Sequence, residues 1–330
     1  MPDVVSRRNF LTFDFARRGA DDDHWVRLHR IAMACRVEVT LSSSDARDIG
    51  AAREALDEAD RLEDMLSVFR DTSDVTRVNR RAADEAVRVG DELFDLLQLS
   101  SGLHADTDGA FDVTAGPLSR CWGFLQRDAR LPDAAVLAGA RAAVGMTGVT
   151  LDHPARTVRF ARCGMELNFG SVGKGFVLDR MADLLHWRGV RHALLSAGSS
   201  SVVAVGGRDG GWPIDLRPRR AEKVVARIRL HDGAVGTSGA GEQFMEIDGV
   251  RYGHVLDPRT GVPASGTLAA SVVTRSGAVS DALSTAFLVG GVALAERYCA
   301  AHADTLALVI PENGTPQLFG RYPGAVMEIC

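Results

Sequence analysis

The sequence predicts an α+β fold with a mixed sheet, and three observations carry that reading. The region before residue 150 contains two amphipathic helical stretches, and the region after it is a series of short β-branched runs. Those runs follow one another without strict β–α–β alternation. Composition supplies the core such a fold needs: 46% of residues are hydrophobic and 25% charged, which excludes disorder, collagen-like repeats and coiled coil. The 330 residues are about twice the roughly 150-residue prior for one domain. With no internal repeat and no low-complexity linker, residues 26–330 read as a single domain behind a polar arm, residues 1–25.

In chain order, residues 36–41 (RVEVTL) alternate and predict a strand. A helix follows from about Ser44, with Ser44 or Asp45 as cap. Its apolar stripe is Ile49, Ala52, Leu56, Ala59, Leu62, Leu66 and Phe69. A second helix spans about 91–104, before a glycine-rich segment and a polar loop around 127–133. Strands are expected at 157–160, 165–169, 193–196, 201–205, 213–216, 224–230, 268–274 and 305–310. Asp248-Gly249 is a hairpin turn joining strands 244–247 and 250–256. Two further helices fall at about 173–187 and 278–289.

Function classes narrow next. Thirty-eight basic against 43 acidic residues give a net charge of −5, with no basic excess that would suit nucleic acid or an anionic membrane. No uncharged run of 18 residues suggests a transmembrane span. Five dispersed cysteines without a CxxC pair fit neither a disulfide framework nor a zinc site. Arg7-Arg8 resembles a twin-arginine signal, but the stretch after it carries charge instead of an apolar h-region. A cytoplasmic location is favoured and a periplasmic one stays open.

Four segments set glycine beside polar residues where periodicity breaks. In Gly109–Leu118 (GAFDVTAGPL), Phe111 offers a stacking face and Asp112 an acceptor, or the segment is an ordinary loop turned by Asp112. Asn168–Gly175 (NFGSVGKG) runs from strand into helix, and free N–H groups with Lys174 suit a phosphate. It lacks the spacing of a P-loop, and a plain glycine-rich connection is the alternative. In Tyr252–Pro263, His254 can move a proton near neutral pH, or be structural. In Val279–Thr285, a helix would set Asp281 and Thr285 one turn apart, a hard-oxygen pair suited to Mg²⁺; Ser280 or Asp281 as a helix cap is the alternative.

Together and in this order, GAFDVTAGPL, GSVGKG, HVLDPRTG and DALST resemble the ApbE family of FAD:protein FMN transferases, over roughly residues 31–310. The resemblance implies a largely antiparallel sheet core flanked by helices. It implies binding of FAD as substrate and of Mg²⁺, and transfer of FMN to a Ser or Thr hydroxyl of a target flavoprotein with release of AMP. The target would carry an Asp-x-x-Ser/Thr-Gly-Ala-type motif. By similarity, Met33, Phe69, Ala110, Phe111, Asp112, Asn168, Lys174 and Val255 would line the FAD site. Asp281, Thr285 and the backbone oxygen of Ser171 would hold the metal, with Ser284 where an acidic residue is common; His254 would be the base.

The chain departs from the family pattern at two places. Met33-Ala34-Cys35 stands where the family has Met-Gly-Thr, and Ser199, Ser200 and Ser201 follow Gly198 where Gly-Gly-Asp is common. Gly236–Gly239 keeps Thr-Ser-Gly. An FAD pyrophosphatase, with water as acceptor, and a non-catalytic flavin-binding protein are the competing expectations.

Overall fold

The structure is a computed structural model describing residues 25–42, 47–125, 128, 130–207, 210–217, 224–240, 244–247 and 250–330. A hairpin of β1 (Trp25–Ala32) and β2 (Cys35–Ser42) leads into α1 (Ile49–Leu66) and α2 (Asp74–Arg81). Then come β3 (Val87–Arg88), α3 (Asp91–Asp106), α4 (Gly116–Cys121), α5 (Ala134–Ala142), β4 (Val149–Asp152), β5 (Thr157–Phe160) and α6 (Gly173–Trp187). Strands β6 (Ala193–Ala197), β7 (Ser201–Val205), β8 (Trp212–Leu216), β9 (Ala226–Leu230) and β10 (Gly233–Gly239) follow, with the hairpin β11 (Phe244–Ile247) and β12 (Val250–Gly253). β13 (Thr267–Thr274), α7 (Gly277–Ala301), β14 (Leu306–Pro311), β15 (Gln317–Gly320) and β16 (Ala325–Ile329) close the chain.

The main sheet has the order β1-β2-β6-β7-β10-β13-β14-β15, and each neighbouring pair is antiparallel. The α+β, largely antiparallel expectation is met; a parallel contact appears as the single bridge Ala115–Glu166. Because side chains alternate along a strand, each central strand feeds two cores. Leu195, Val203, Val205, Ala270 and Val272 point into the core shared with α1, α6 and α7. Leu194, Val202, Val235, Val273 and Leu308 point the other way, onto the three-stranded sheet β16-β9-β8 through Ile214, Ile228 and Leu230. Burial on both faces explains why β7 reads as a continuous apolar run after its first residue. α7 is long and apolar enough to cross a membrane by length and composition, but most of that stretch is buried against the sheet and α6, which accounts for its apolarity.

Several elements differ from expectation. Residues 165–169 form no strand beyond the bridge at Glu166; instead the Asn79 side chain takes the neighbouring strand's place, accepting from Leu167 N at 2.7 Å and donating to Leu167 O at 3.0 Å. Phe69 lies outside α1 and is 73% exposed, so the stripe ends at Leu66. β10 hides its strand character behind glycine and serine, and β1 behind alternating charge suited to an edge strand. α2, with Val75 and Val78 on its buried side, is a short helix the sequence reading did not include, α4 and α5 are short helices without a clear period, and α7 runs past the expected stop to residue 301 with a break at Gly291. The Asp248-Gly249 turn, the Ser44 and Asp45 caps and arm residues 1–24 lie outside the described residues.

Candidate active site

Two helix N-termini meet at the centre of the molecule, and glycine makes the meeting feasible. A Cβ on Gly175 would overlap the Gly277 carbonyl, and one on Gly236 of β10 would overlap the Ser280 carbonyl. α6 and α7 are therefore packed backbone to backbone at their first turns. Each supplies the other's cap. Asp179 of α6 accepts from Gly277 N (2.6 Å), Ala278 N (3.0 Å) and Ser276 Oγ (2.7 Å) at the start of α7. In return Asp281 of α7 accepts from Gly175 N (3.1 Å) in the first turn of α6, whose own N-cap residue, Val172, makes no side-chain cap. The positive ends of both helix dipoles thus converge on one region.

A cleft of about 370 Å³ opens beside that junction. Its lining includes Phe69, Ala110, Phe111, Asp112, Asn168, Ser171, Lys174, His254, Val255, Asp281 and Thr285, bringing eleven of the sequence-derived candidates together. Met33 and Ser284 are not in that lining. Met33 sits in the two-residue β1–β2 turn, at φ 53° beside Ala34 at 55°, with its Cε against Gly173. Ser284 is fully buried behind the wall, within 2.9 Å of Ser238 Oγ and donating to Asp281 O.

Asp281 is 3% exposed; its Oδ1 accepts from Ser201 Oγ at 3.1 Å while Oδ2 takes Gly175 N. Burial pushes its carboxyl pKa up, opposed by Lys174, Gly175 N–H and the Ser201 hydroxyl. Among the described residues no cationic side chain bonds it. Lys174 Nζ donates to Ser200 Oγ, one of the three serines that stand after Gly198 where Gly-Gly-Asp was expected. Thr285 lies one turn beyond Asp281 on the same face, and Ser238 Oγ is 3.2 Å from its hydroxyl. Ser200, Thr237 and Ser238 also line the cleft; the sequence marked the first as a departure and the other two within the retained Thr-Ser-Gly, but named none of them as a site residue.

Asp112 performs the loop-turning role. Its Oδ1 accepts from Thr114 N (2.7 Å) and Thr114 Oγ1 (2.6 Å), Oδ2 accepts from Met146 N (3.1 Å), and His104 Nδ1 lies 3.2 Å away. Burial raises the Asp112 pKa, but the bonds from His104 and Thr114 outweigh it and hold the carboxyl below the usual range. Bonding to Asp112 raises the His104 pKa against burial. Phe111 is 1% exposed and serves as floor, not as the open stacking face expected of it; the exposed ring at the cleft is Phe69. Among the described residues no group of three His, Cys, Asp or Glu side chains could hold a metal. A cation here would rely on Asp281 with hydroxyl and carbonyl oxygens, a hard donor set that fits Mg²⁺ when substrate phosphates complete it.

A lysine at a helix start, beside a buried acid and a histidine, is a set of groups suited to binding phosphates. The model of the ApbE family matches residues 33–310. The chain is 31% identical over 259 residues to a FAD:protein FMN transferase of Klebsiella pneumoniae, covering 77% of this chain and 79% of that protein. It is 31% identical over 289 residues to one of Treponema pallidum, covering 82% and 78%. The solved ApbE protein of Thermotoga maritima superposes with a TM-score of 0.82 at 28% identity, covering 91% of this chain and 97% of that one. The apo flavinyl transferase ApbE of Pseudomonas stutzeri gives 0.76 at 31%, covering 92% and 95%. The chain belongs to the ApbE family and is a transferase.

Proposed function

We propose that this transferase moves FMN from FAD onto a Ser or Thr hydroxyl of a target flavoprotein, releasing AMP, with Mg²⁺ held by Asp281, Thr285 and the Ser171 carbonyl. The observation that carries the reading is the convergence of Asp281, Thr285, Lys174 and His254 on one cleft beside two helix N-termini. The acceptor oxygen attacks the FMN-side phosphorus, forming one O–P bond as the bond to the bridging oxygen breaks. AMP leaves with that oxygen, and the hydroxyl proton passes to His254. Bound Mg²⁺ would neutralise charge building on the leaving phosphate. Lys174, at the positive end of the α6 dipole, would orient the diphosphate. Phe69 is placed to cover a flat ring.

The test is the mass of an acceptor domain bearing the Asp-x-x-Ser/Thr-Gly-Ala motif after incubation with FAD, Mg²⁺ and this protein. A gain of one FMN with equimolar AMP is expected. Free FMN with an unmodified acceptor would reject transfer in favour of pyrophosphatase action, and FAD binding without AMP would reject both enzymes. His254→Ala should lower kcat far more than it weakens FAD binding; equal losses would reduce His254 to a ligand contact.

A further inference from the structure

α5 is a helix with an anomalous outer face. Seven of its nine positions are exposed, and of those only Arg141 is charged, in a chain that is 25% charged overall. No residue of α5 is buried. Its inner side, through Leu137 and Ala140, rests on a small core of Leu118, Trp122 and Leu256. Three large apolar side chains surround that core on the outside: Leu131 is 55% exposed, Val136 57% and Val262 44%. Each is tied to it by a neighbour. Arg130 N donates to Trp122 O at 3.1 Å, Trp122 Nε1 donates to Gly261 O at 2.8 Å, and Leu137 packs against Gly261.

This face is continuous with the cleft. Leu256 of the same small core and the adjoining Phe124 and Leu125 line the cleft, and His254 stands just before the Leu256–Pro263 bridge that closes the turn carrying Val262. The apolar face therefore lies on the histidine's side of the mouth, where an acceptor hydroxyl has to enter. A protein delivering that hydroxyl must lay surface against whatever flanks His254. Exposed apolar side chains beside a binding cleft, bordered here by the exposed charged residues Arg130, Asp133 and Arg259, are what a transient protein interface with a polar rim uses.

We infer that Leu131, Val136 and Val262 form the docking face for the target flavoprotein, engaging an apolar surface of the folded target next to its acceptor residue. The inference rests on the transferase reading and adds a recognition surface outside the FAD site. The acceptor motif is read in the cleft, and the α5 face reads the fold that carries it.

The test measures FMN transfer to a purified acceptor domain bearing the Asp-x-x-Ser/Thr-Gly-Ala sequence, and to a short synthetic peptide of the same motif, by Val136→Asp and Leu131→Asp. Both positions are solvent-exposed and outside the cleft lining. Each variant should raise KM for the domain about tenfold or more, since a desolvated hot-spot residue contributes that much. kcat at saturation, the FAD Kd and the rate with the peptide should match wild type. An unchanged KM for the domain in both variants overturns the docking face. So does an equal loss with domain and peptide, or a weakened FAD Kd, because these residues would then belong to the cleft. A wild type that modifies neither acceptor overturns the transferase reading itself, and the docking face with it.

Discussion

At the scale of single residues, Lys174 is set apart by the company it keeps. Of the chain's 38 basic residues, 36 are arginine and two lysine, yet lysine stands at the first turn of α6 in the cleft. A compact ammonium presents one charge to a phosphate and to Ser200, whereas a planar guanidinium is longer and demands paired acceptors. Lys174→Arg should therefore cost at least tenfold in kcat/KM for FAD despite conserving charge, and steady-state rates over a range of FAD will check it. Wild-type kinetics in that variant would leave Lys174 no specific part. The His104–Asp112 pair allows a prediction in pH. The folded pKa of His104 is raised by Asp112, so its contribution to stability is complete below its ordinary value of about 6.5 and is lost as pH rises through the folded value. His104→Gln should therefore lower the urea midpoint more at about pH 5.5 than at about pH 8.5; a constant difference would show that the pair contributes by packing. The sequence made Lys174, His254, Asp281 and Thr285 candidates because their chemistry is local to a motif. It did not reveal His104, and it marked Ser200 and Ser238 only as a departure and a retained motif, because their parts arise from neighbours remote in the chain.

At the scale of elements, the reciprocal caps between α6 and α7 fix how far Lys174 stands from Asp281. Asp179 is the firmer half, with three hydrogen bonds to the start of α7 against one from Gly175 to Asp281. Burial raises its carboxyl pKa against those bonds and the nearby Arg180. Asp179→Ala would strip the backbone N–H groups of Gly277 and Ala278 of their acceptor in a buried place. The cost should be on the order of 2–4 kcal/mol, seen as a lower denaturant midpoint at unchanged m-value. An unaltered midpoint would mean that the α6–α7 contact is held by the glycine packing alone. This junction was half legible. The helix at 173–187 and the start of α7 follow from period and composition, as do β5 and β7, because their patterns are intrinsic to each segment. β10 was not legible: Gly236 serves the close approach of α7 and Gly233 that of Tyr322, tertiary requirements that local propensity contradicts. Nor was the missing strand at 165–169, where a side chain of α2 replaces a strand neighbour.

At the scale of the whole molecule, the cleft is where separate parts of the fold meet: the loops after α1 and α3, the starts of α6 and α7, the turn before β7, strand β10 and the loop after β12. A ligand held there ties together elements that otherwise share only the core, so occupancy should register as global stability. Binding to the native state alone adds RT ln(1 + [L]/Kd), about 2.7 kcal/mol at a hundredfold excess over Kd. For a chain of this length that corresponds to a rise of roughly 4 °C in Tm. FAD should raise Tm by about that amount, and Mg²⁺ should add a further increment only when FAD is present, because Asp281 is the one carboxylate among the proposed ligands Ser171, Asp281 and Thr285 and the phosphates must complete the site. Asp281→Asn should keep the FAD increment and lose the one from Mg²⁺. Scanning calorimetry of both proteins with neither ligand, each alone and both together separates these terms. A Mg²⁺ increment that survives in Asp281→Asn places the cation on other ligands, and one that appears without FAD means the protein alone suffices to hold it.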